Sequence, residues 1–327
     1  MPGMHALPFA FSSFPSIMQQ RFHARASVRS TGASALSALL LAALSACGGG
    51  GGDSTPATVT TMSIAATKYG VPAQVTVTGT HLGNMTLTAP GCKNVTRLTT
   101  APTASNDTTA YFSCTPSGAY TSTITAVTNG TSIDTATLTV QPPIVRMTVS
   151  GGGVNGNIDF ALRGNQAPIT VDNFLAYVNA GFYDGKDGKG ATIFHRVVAG
   201  FVVQGGGYPV TTSGALPAPK ANTLSPINLE TTGGSNLQWT AAMARTSDAN
   251  SATSQFFFNL ANNSSILDPS SKTAGYAVFA DVSASASVIQ AIASAPCTLV
   301  TTNGVPLGDG SCVPIPNVVV TSATQIQ

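Results

Sequence analysis

The sequence predicts a mainly β protein of two domains: a small β-sandwich, then a second antiparallel β domain that carries two helices. Three observations predict it. Between residues 58 and 141, short Thr- and Val-rich alternating runs recur with turn signals between them, and no stretch has helical periodicity. Pro142-Pro143 then breaks the pattern. Beyond it, only two stretches place apolar residues at helical spacing, and the rest reads as strands and turns.

The length of 327 residues suits two ordinary domains plus ends. Hydrophobic residues make up 43%, enough for real cores, while charged residues are only 8%, far below the usual quarter. Thr, Ser, Ala, Gly and Asn fill the surface instead, a composition that suits an exported β protein. The formal charge of +2 misleads, because Arg21, Arg25 and Arg29 precede Cys47 and every Asp and Glu follows it. Removing those three from the 14 Lys and Arg leaves 11 against 12 Asp and Glu. No basic stripe remains, so nucleic-acid binding is disfavoured.

Residues 1–46 have the organisation of an export signal. Arg21, Arg25 and Arg29 form a positive region, and Ala33–Ala46 is an apolar core too short to span a bilayer as a permanent helix. It ends Leu44-Ser45-Ala46-Cys47, which resembles the bacterial lipobox, so lipidation is expected at Cys47 with the chain lipid-anchored in the cell envelope. Residues 47–57, with the glycine run 48–52, form a tether. The run is no phosphate loop, since neither Lys-Ser/Thr nor a helix follows.

Residues 58–141 give strands near Ala73–Thr80, Tyr120–Val127 and Thr135–Val140, with turns at Tyr69-Gly70, Leu82-Gly83-Asn84 and Asn129-Gly130. Short strands at this spacing suggest an immunoglobulin-like β-sandwich. It holds no catalytic constellation, and His81 stands alone. Cys92 and Cys114 lie inside it, and Cys297 and Cys312 lie near the other end. An oxidising compartment makes two disulfides the natural reading, each closing a loop of roughly 15–25 residues and contributing about 3 kcal/mol. No C-x-x-C pair exists and the His residues are scattered, so no metal is expected.

The second domain, 142–327, opens with a hairpin of Val145–Val149 and Asn157–Leu162 around a glycine-rich turn. Thr170 is the predicted N-cap of a helix that faces Phe174, Leu175 and Val178 inward and ends at Gly181. A second helix is expected over Ser285–Ser294 and a last strand over Asn317–Ala323. The stretch Ala191–Tyr208 has strand segments Thr192–Phe194 and Phe201–Val203, closed by Gly205, Gly206 and Gly207. Arg196 interrupts it. A guanidinium cannot shed its charge, so it faces solvent or lines a site. Alternation does not decide which.

Phe194-His195-Arg196-Val197, then Phe201, then Gln204-Gly205-Gly206, resembles the signature of the cyclophilin peptidyl-prolyl isomerases. A second block agrees: Ala242-Met243-Ala244-Arg245-Thr246, Ser251 through Asn259, Leu267-Asp268, and Gly275 through Phe279. The similarity, to the bacterial branch, runs from about Val145 to the C-terminus. It implies a cyclophilin-like closed eight-stranded β-barrel with two capping helices, and peptidyl-prolyl cis-trans isomerisation without cofactor or metal.

Isomerising an Xaa-Pro bond needs no acid, base or nucleophile. The barrier is amide resonance, and a catalyst must favour the twisted amide whose prolyl nitrogen has regained its lone pair. The resemblance places Arg196 beside that nitrogen as a fixed cationic donor, with Phe201 and Gln204 as its catalytic companions. It implies a substrate groove of Val202, Ala244, Arg245, Gln255, Ile266, Phe257, Leu267 and Tyr276. Val202 departs from a common Met, and Ile266 replaces the Trp of cyclosporin-sensitive members. Of Phe256, Phe257 and Phe258, alternation allows Phe257 alone to line the pocket. His195 is expected to be structural, since no proton moves. Trp239 stands where relatives commonly have Gly.

The expected partners are Xaa-Pro segments of exported polypeptides and a membrane, with no nucleic acid and a monomeric state. The alternatives are an envelope lipoprotein that binds Pro-containing segments with little turnover, and a surface protein whose sandwich is the working part.

Overall fold

The computed structural model describes residues 55–327 apart from 66, 101, 303–304 and 307. The signal-like segment, Cys47 and most of the tether lie outside the described residues.

Seven strands come first: β1 (Thr58–Ile64), β2 (Ala73–Thr80), β3 (Thr86–Thr88), β4 (Cys92–Arg97), β5 (Thr109–Pro116), β6 (Thr121–Thr128) and β7 (Thr131–Thr139). They form two antiparallel sheets, β1-β2-β5-β4 and β3-β6-β7. Alternation builds them. In β2 the residues Ala73, Val75 and Val77 are buried while Gln74, Thr76 and Thr78 are half-exposed. Asn129 and Gly130 both take positive φ, 51° and 79°, and join β6 to β7 as a two-residue hairpin. Cys92 and Cys114 are bonded, with Cα atoms 5.5 Å apart. That bridge joins neighbouring strands of one sheet rather than clamping one sheet to the other.

The second half continues with β8 (Ile144–Gly151), β9 (Val154–Leu162), α1 (Pro168–Asn179), β10 (Asp184–Gly185), β11 (Gly190–Val198), β12 (Val202–Pro209), β13 (Thr240–Met243) and β14 (Phe256–Asn259). Then come α2 (Ser264–Leu267), β15 (Val278–Asp281), α3 (Ala286–Ala293), β16 (Cys297–Leu299), β17 (Thr301–Thr302), β18 (Val305–Pro306), β19 (Cys312–Pro314) and β20 (Val319–Gln325). Eight strands pair in the order β12-β14-β13-β15-β9-β8-β20-β11, and the β11–β12 pairing closes the barrel. Its interior is aromatic. Phe160 meets Phe256 edge-on at 5.4 Å, and Phe174 of α1 packs on Phe279 at 4.9 Å. Ile289 and Ile292 bring one face of α3 to the same core.

The start of α1 differs from the sequence expectation. Thr170 is not the N-cap; the helix begins at Pro168, whose fixed φ suits a first turn. Its free N–H groups are met from 60 residues away: the Glu230 carboxylate accepts from the Thr170 amide at 2.7 Å and from the Thr170 hydroxyl at 2.8 Å. A local spacing rule cannot see that carboxylate. The short helix α2 also lacks an apolar period and went unexpected.

One buried cluster runs through both halves, and residues 57–327 form one compact unit. Hydrogen bonds stitch the seam. The Tyr120 hydroxyl donates to Leu162 O and accepts from Gly164 N, both at 2.8 Å. The Tyr69 hydroxyl donates to Gly164 O at 3.2 Å and accepts from Gly118 N at 2.9 Å. Lys93 and Ser117 both reach the carboxylate of Asp172 on α1.

Candidate active site

A break in alternation makes the site. Phe194 and Arg196 are two apart on β11 and would share a face of an ordinary strand. Phe194 pairs with Gly205 and Arg196 with Gln204, so two steps along β11 match one along β12. The extra residue is His195, the residue at the centre of a β-bulge. Phe194 therefore joins the barrel core, while Arg196 stands outside with its side chain 13% exposed.

From Arg196 a row of cross-strand partners crosses the outer wall. Arg196 faces Gln204, Gln204 faces Phe257, Phe257 faces Ala242, and Ala242 faces Val278. Period 2 then sorts the three phenylalanines of β14. Phe256 and Phe258 belong to the core, and Phe257 belongs to a separate outer cluster with Val202, Ala242, Ala244, Leu267 and Val278. Phe201, Val198 and Tyr276 pack on that cluster. The result is an apolar patch with a guanidinium at one edge.

The polar side chains around it are mutually bonded. Gln204 Nε2 donates to Gln255 Oε1 at 3.0 Å. Arg196 Nη1 approaches Gln204 Oε1 at 3.4 Å, and Nη2 donates to Asp309 Oδ2 at 2.6 Å. Partial burial alone would raise the Asp309 carboxyl, but the hydrogen bonds from Arg196 and Ser311 outweigh it and hold the group down at about 2. Arg245 lies with its guanidinium 4.4 Å from the Tyr276 ring centre and donates to Gly275 O. Tyr276 in turn meets Phe257 edge-on at 5.6 Å. Ile266 is 52% exposed on α2, next to buried Leu267. The structure thus brings Arg196, Phe201, Val202, Gln204, Ala244, Gln255, Phe257, Leu267 and Tyr276 to one face, with Arg245 stacked on its edge and Ile266 at its rim.

Beneath the patch lies a buried amide network that the sequence did not single out. Asn263 Nδ2 donates to Phe201 O at 2.9 Å and to Asn259 Oδ1 at 2.8 Å. Asn259 passes the chain to Asn236, and Asn236 Nδ2 donates to Leu267 O at 3.2 Å. Two walls of the patch, at Phe201 and Leu267, are therefore fixed by one set of satisfied buried amides.

His195 is buried against Tyr208, ring centres 4.5 Å apart, and burial pushes its pKa down to about 3. A neutral ring inside the wall does structural work. Among the described residues no group of His, Cys, Asp or Glu could hold a metal ion. An apolar patch edged by held guanidinium groups can bind a neutral ring and stabilise charge beside it.

Residues 144–325 match the family described as "Cyclophilin type peptidyl-prolyl cis-trans isomerase/CLD". The chain belongs to that family. It is 47% identical over 128 residues to a peptidyl-prolyl cis-trans isomerase A of Dickeya dadantii, a span covering 39% of this chain and 60% of that one. It is 44% identical over 142 residues to a peptidyl-prolyl cis-trans isomerase of Acinetobacter baylyi, covering 43% and 69%. A peptidyl-prolyl cis-trans isomerase cyp18 of Streptomyces antibioticus aligns at 45% identity over 141 residues, covering 42% and 77%. Each alignment takes in less than half of this cyclophilin.

Trp239 gains a physical account here. It takes φ 62°, a left-handed conformation that favours glycine, between bonds from its N–H to Asn259 O and from Val282 N to its carbonyl. Asp309 was legible only as a member of the loop between Cys297 and Cys312. Those two cysteines are bonded, with Cα atoms 5.6 Å apart.

Proposed function

We propose that this cyclophilin isomerises Xaa-Pro bonds by holding the Arg196 guanidinium against the prolyl nitrogen of a ring seated on Phe257, Leu267, Phe201 and Val202. The observation that carries the reading is the cross-strand row from Arg196 through Gln204 to Phe257. It sets a permanent donor and an apolar seat on one rigid wall. Twisting the amide localises the nitrogen lone pair, and a preorganised cation stabilises that state more than either planar one. Lysine would not substitute, because its point charge lacks the planar fork. Gln204 and Gln255 would grip the peptide backbone on one side of the bond while the other side rotates.

The test is NMR exchange in a short Xaa-Pro peptide with the protein and with Arg196→Ala. Acceleration that falls by about 100-fold in a folded variant supports the role, on the scale of losing one transition-state donor. Binding without acceleration would make this face a recognition module.

We further infer that the protein works in the cell envelope on exported polypeptides, attached through lipid on Cys47. The positive region, the short apolar core and Leu44-Ser45-Ala46-Cys47 support this, as do four cysteines paired in two bridges. Metabolic labelling with a radioactive fatty acid that Cys47→Ala abolishes is the expected result; undiminished labelling sinks the assignment.

A further inference from the structure

We propose that Asp309 is a positioning residue for Arg196, delivered to it by the hairpin that Cys297 and Cys312 close, so that a segment outside the barrel completes the isomerase face. The proposal rests on the reading of Arg196 as the donor to the prolyl nitrogen.

The hairpin is attached at the right place. β19 pairs with the edge of β11 through Cys312 and Val197, the residue after Arg196. β16 pairs with β19, from Cys297 opposite Pro314 to Leu299 opposite Cys312. On the far side Thr301 N donates to Gly214 O at 3.0 Å, which ties the hairpin to the segment that follows β12. Between these anchors the chain presents Asp309, whose Oδ1 accepts from Ser311 N at 3.0 Å. One carboxylate oxygen is thereby fixed by the backbone, and the other is aimed at Arg196.

Distances rank the two holds on the guanidinium. The Gln204 contact at 3.4 Å is long for a hydrogen bond and weak by itself. The Asp309 contact at 2.6 Å is short and joins opposite charges, the strong class. An arginine side chain gives up substantial rotamer freedom when held, so what fixes its plane matters. Among the described residues, two of its five N–H groups are engaged, by partners on two different nitrogens. A carboxylate also opposes the cation's field. Here Asp309 is 40% exposed while Arg196 is 13% exposed, so water screens the anion more than the cation. Orientation therefore outweighs neutralisation.

The experiment measures kcat and KM for prolyl exchange in the full chain, with Asp309→Asn, Asp309→Glu, the pair Cys297→Ser with Cys312→Ser, and Arg196→Ala beside them. Asp309→Asn keeps the shape and removes the charge. The expected result is a fall in kcat of roughly 10-fold with KM little changed, the scale of losing an orienting partner. Asp309→Glu should restore part of it. The double serine variant should fall in the same direction as Asp309→Asn, and the Arg196 Nε–H signal should broaden in both. An unchanged kcat in Asp309→Asn overturns the proposal. So does a raised kcat, which would make the carboxylate a competitor for the guanidinium. If Arg196→Ala is inactive while Asp309→Asn is fully active, only the positioning role fails. If Arg196→Ala is fully active, the donor reading fails and the positioning role falls with it.

Discussion

The side-chain amide of Gln204 donates to the side-chain carbonyl of Gln255 at 3.0 Å, and the body of Gln255 lies against the α-carbon of Gly207. Three consecutive glycines follow Gln204, and this contact explains the last of them. A methyl group at Gly207 would overlap the Gln255 amide. Gly207→Ala should push Gln255 off Gln204. Because the obstructing group is the end of a flexible side chain, the fold should survive with under about 2 kcal/mol lost. Prolyl exchange should slow several-fold while the thermal midpoint barely moves; a variant with native activity would show that Gln255 does not matter.

Activity should be flat with pH between about 5 and 8. Neither His195, pushed to about 3, nor Asp309, at about 2, changes charge in that window. Twisting an amide needs no proton transfer. A bell-shaped kcat/KM profile in that range would contradict the mechanism.

Stability should behave differently. His195 has a folded pKa below its unfolded value of about 6.5, so the unfolded chain binds the extra proton between those values. Stability therefore falls as pH drops from about 6.5 toward 3, by on the order of 5 kcal/mol at about 1.4 kcal/mol per unit. Denaturant melts at pH 7 and pH 4 check this, and in His195→Gln the difference between them should shrink.

Tyr120→Phe should weaken the seam between sandwich and barrel. The lost hydroxyl leaves Leu162 O and Gly164 N without their partner, at about 1–3 kcal/mol for each stranded group. Calorimetry should show a lower midpoint, with one transition broadening or splitting. An unaltered thermogram would mean water replaces the hydroxyl without cost.

Reducing or replacing the Cys92–Cys114 bridge should cost about 3 kcal/mol, since it closes a loop between residues 22 apart. Prolyl exchange should persist below the new midpoint, because that bridge is not part of the Arg196 face.

The strands β13 and β14, buried on both faces, gave no signal of a wet face, but strands with one half-exposed face, as where Val75 and Val77 alternate with Thr76 and Thr78, were legible. The orientation of Arg196 was not, because the bulge at His195 arises from pairing with another strand. Glu230 at the start of α1 and Asp309 beside Arg196 were hidden for the same reason: each acts on a residue far along the chain. The asparagines beneath Phe201 carried no signal of their own in the sequence, because their amides meet only where the fold brings separate segments together. The resemblance singled out residues that the fold gathers on one face. Only the fold supplied their mutual support.

The packing of Tyr69 over Gly164 bears on how such a chain can be recombined. A side chain at Gly164 would overlap the Tyr69 ring, and Leu175 of α1 abuts Gly70. The sandwich is therefore no cassette to be exchanged freely. A barrel borrowed from a relative would need a bare backbone at the position of Gly164 and an apolar spot where Leu175 sits. A gene cut at Pro142 would release a barrel whose seam, now open to solvent, invites self-association.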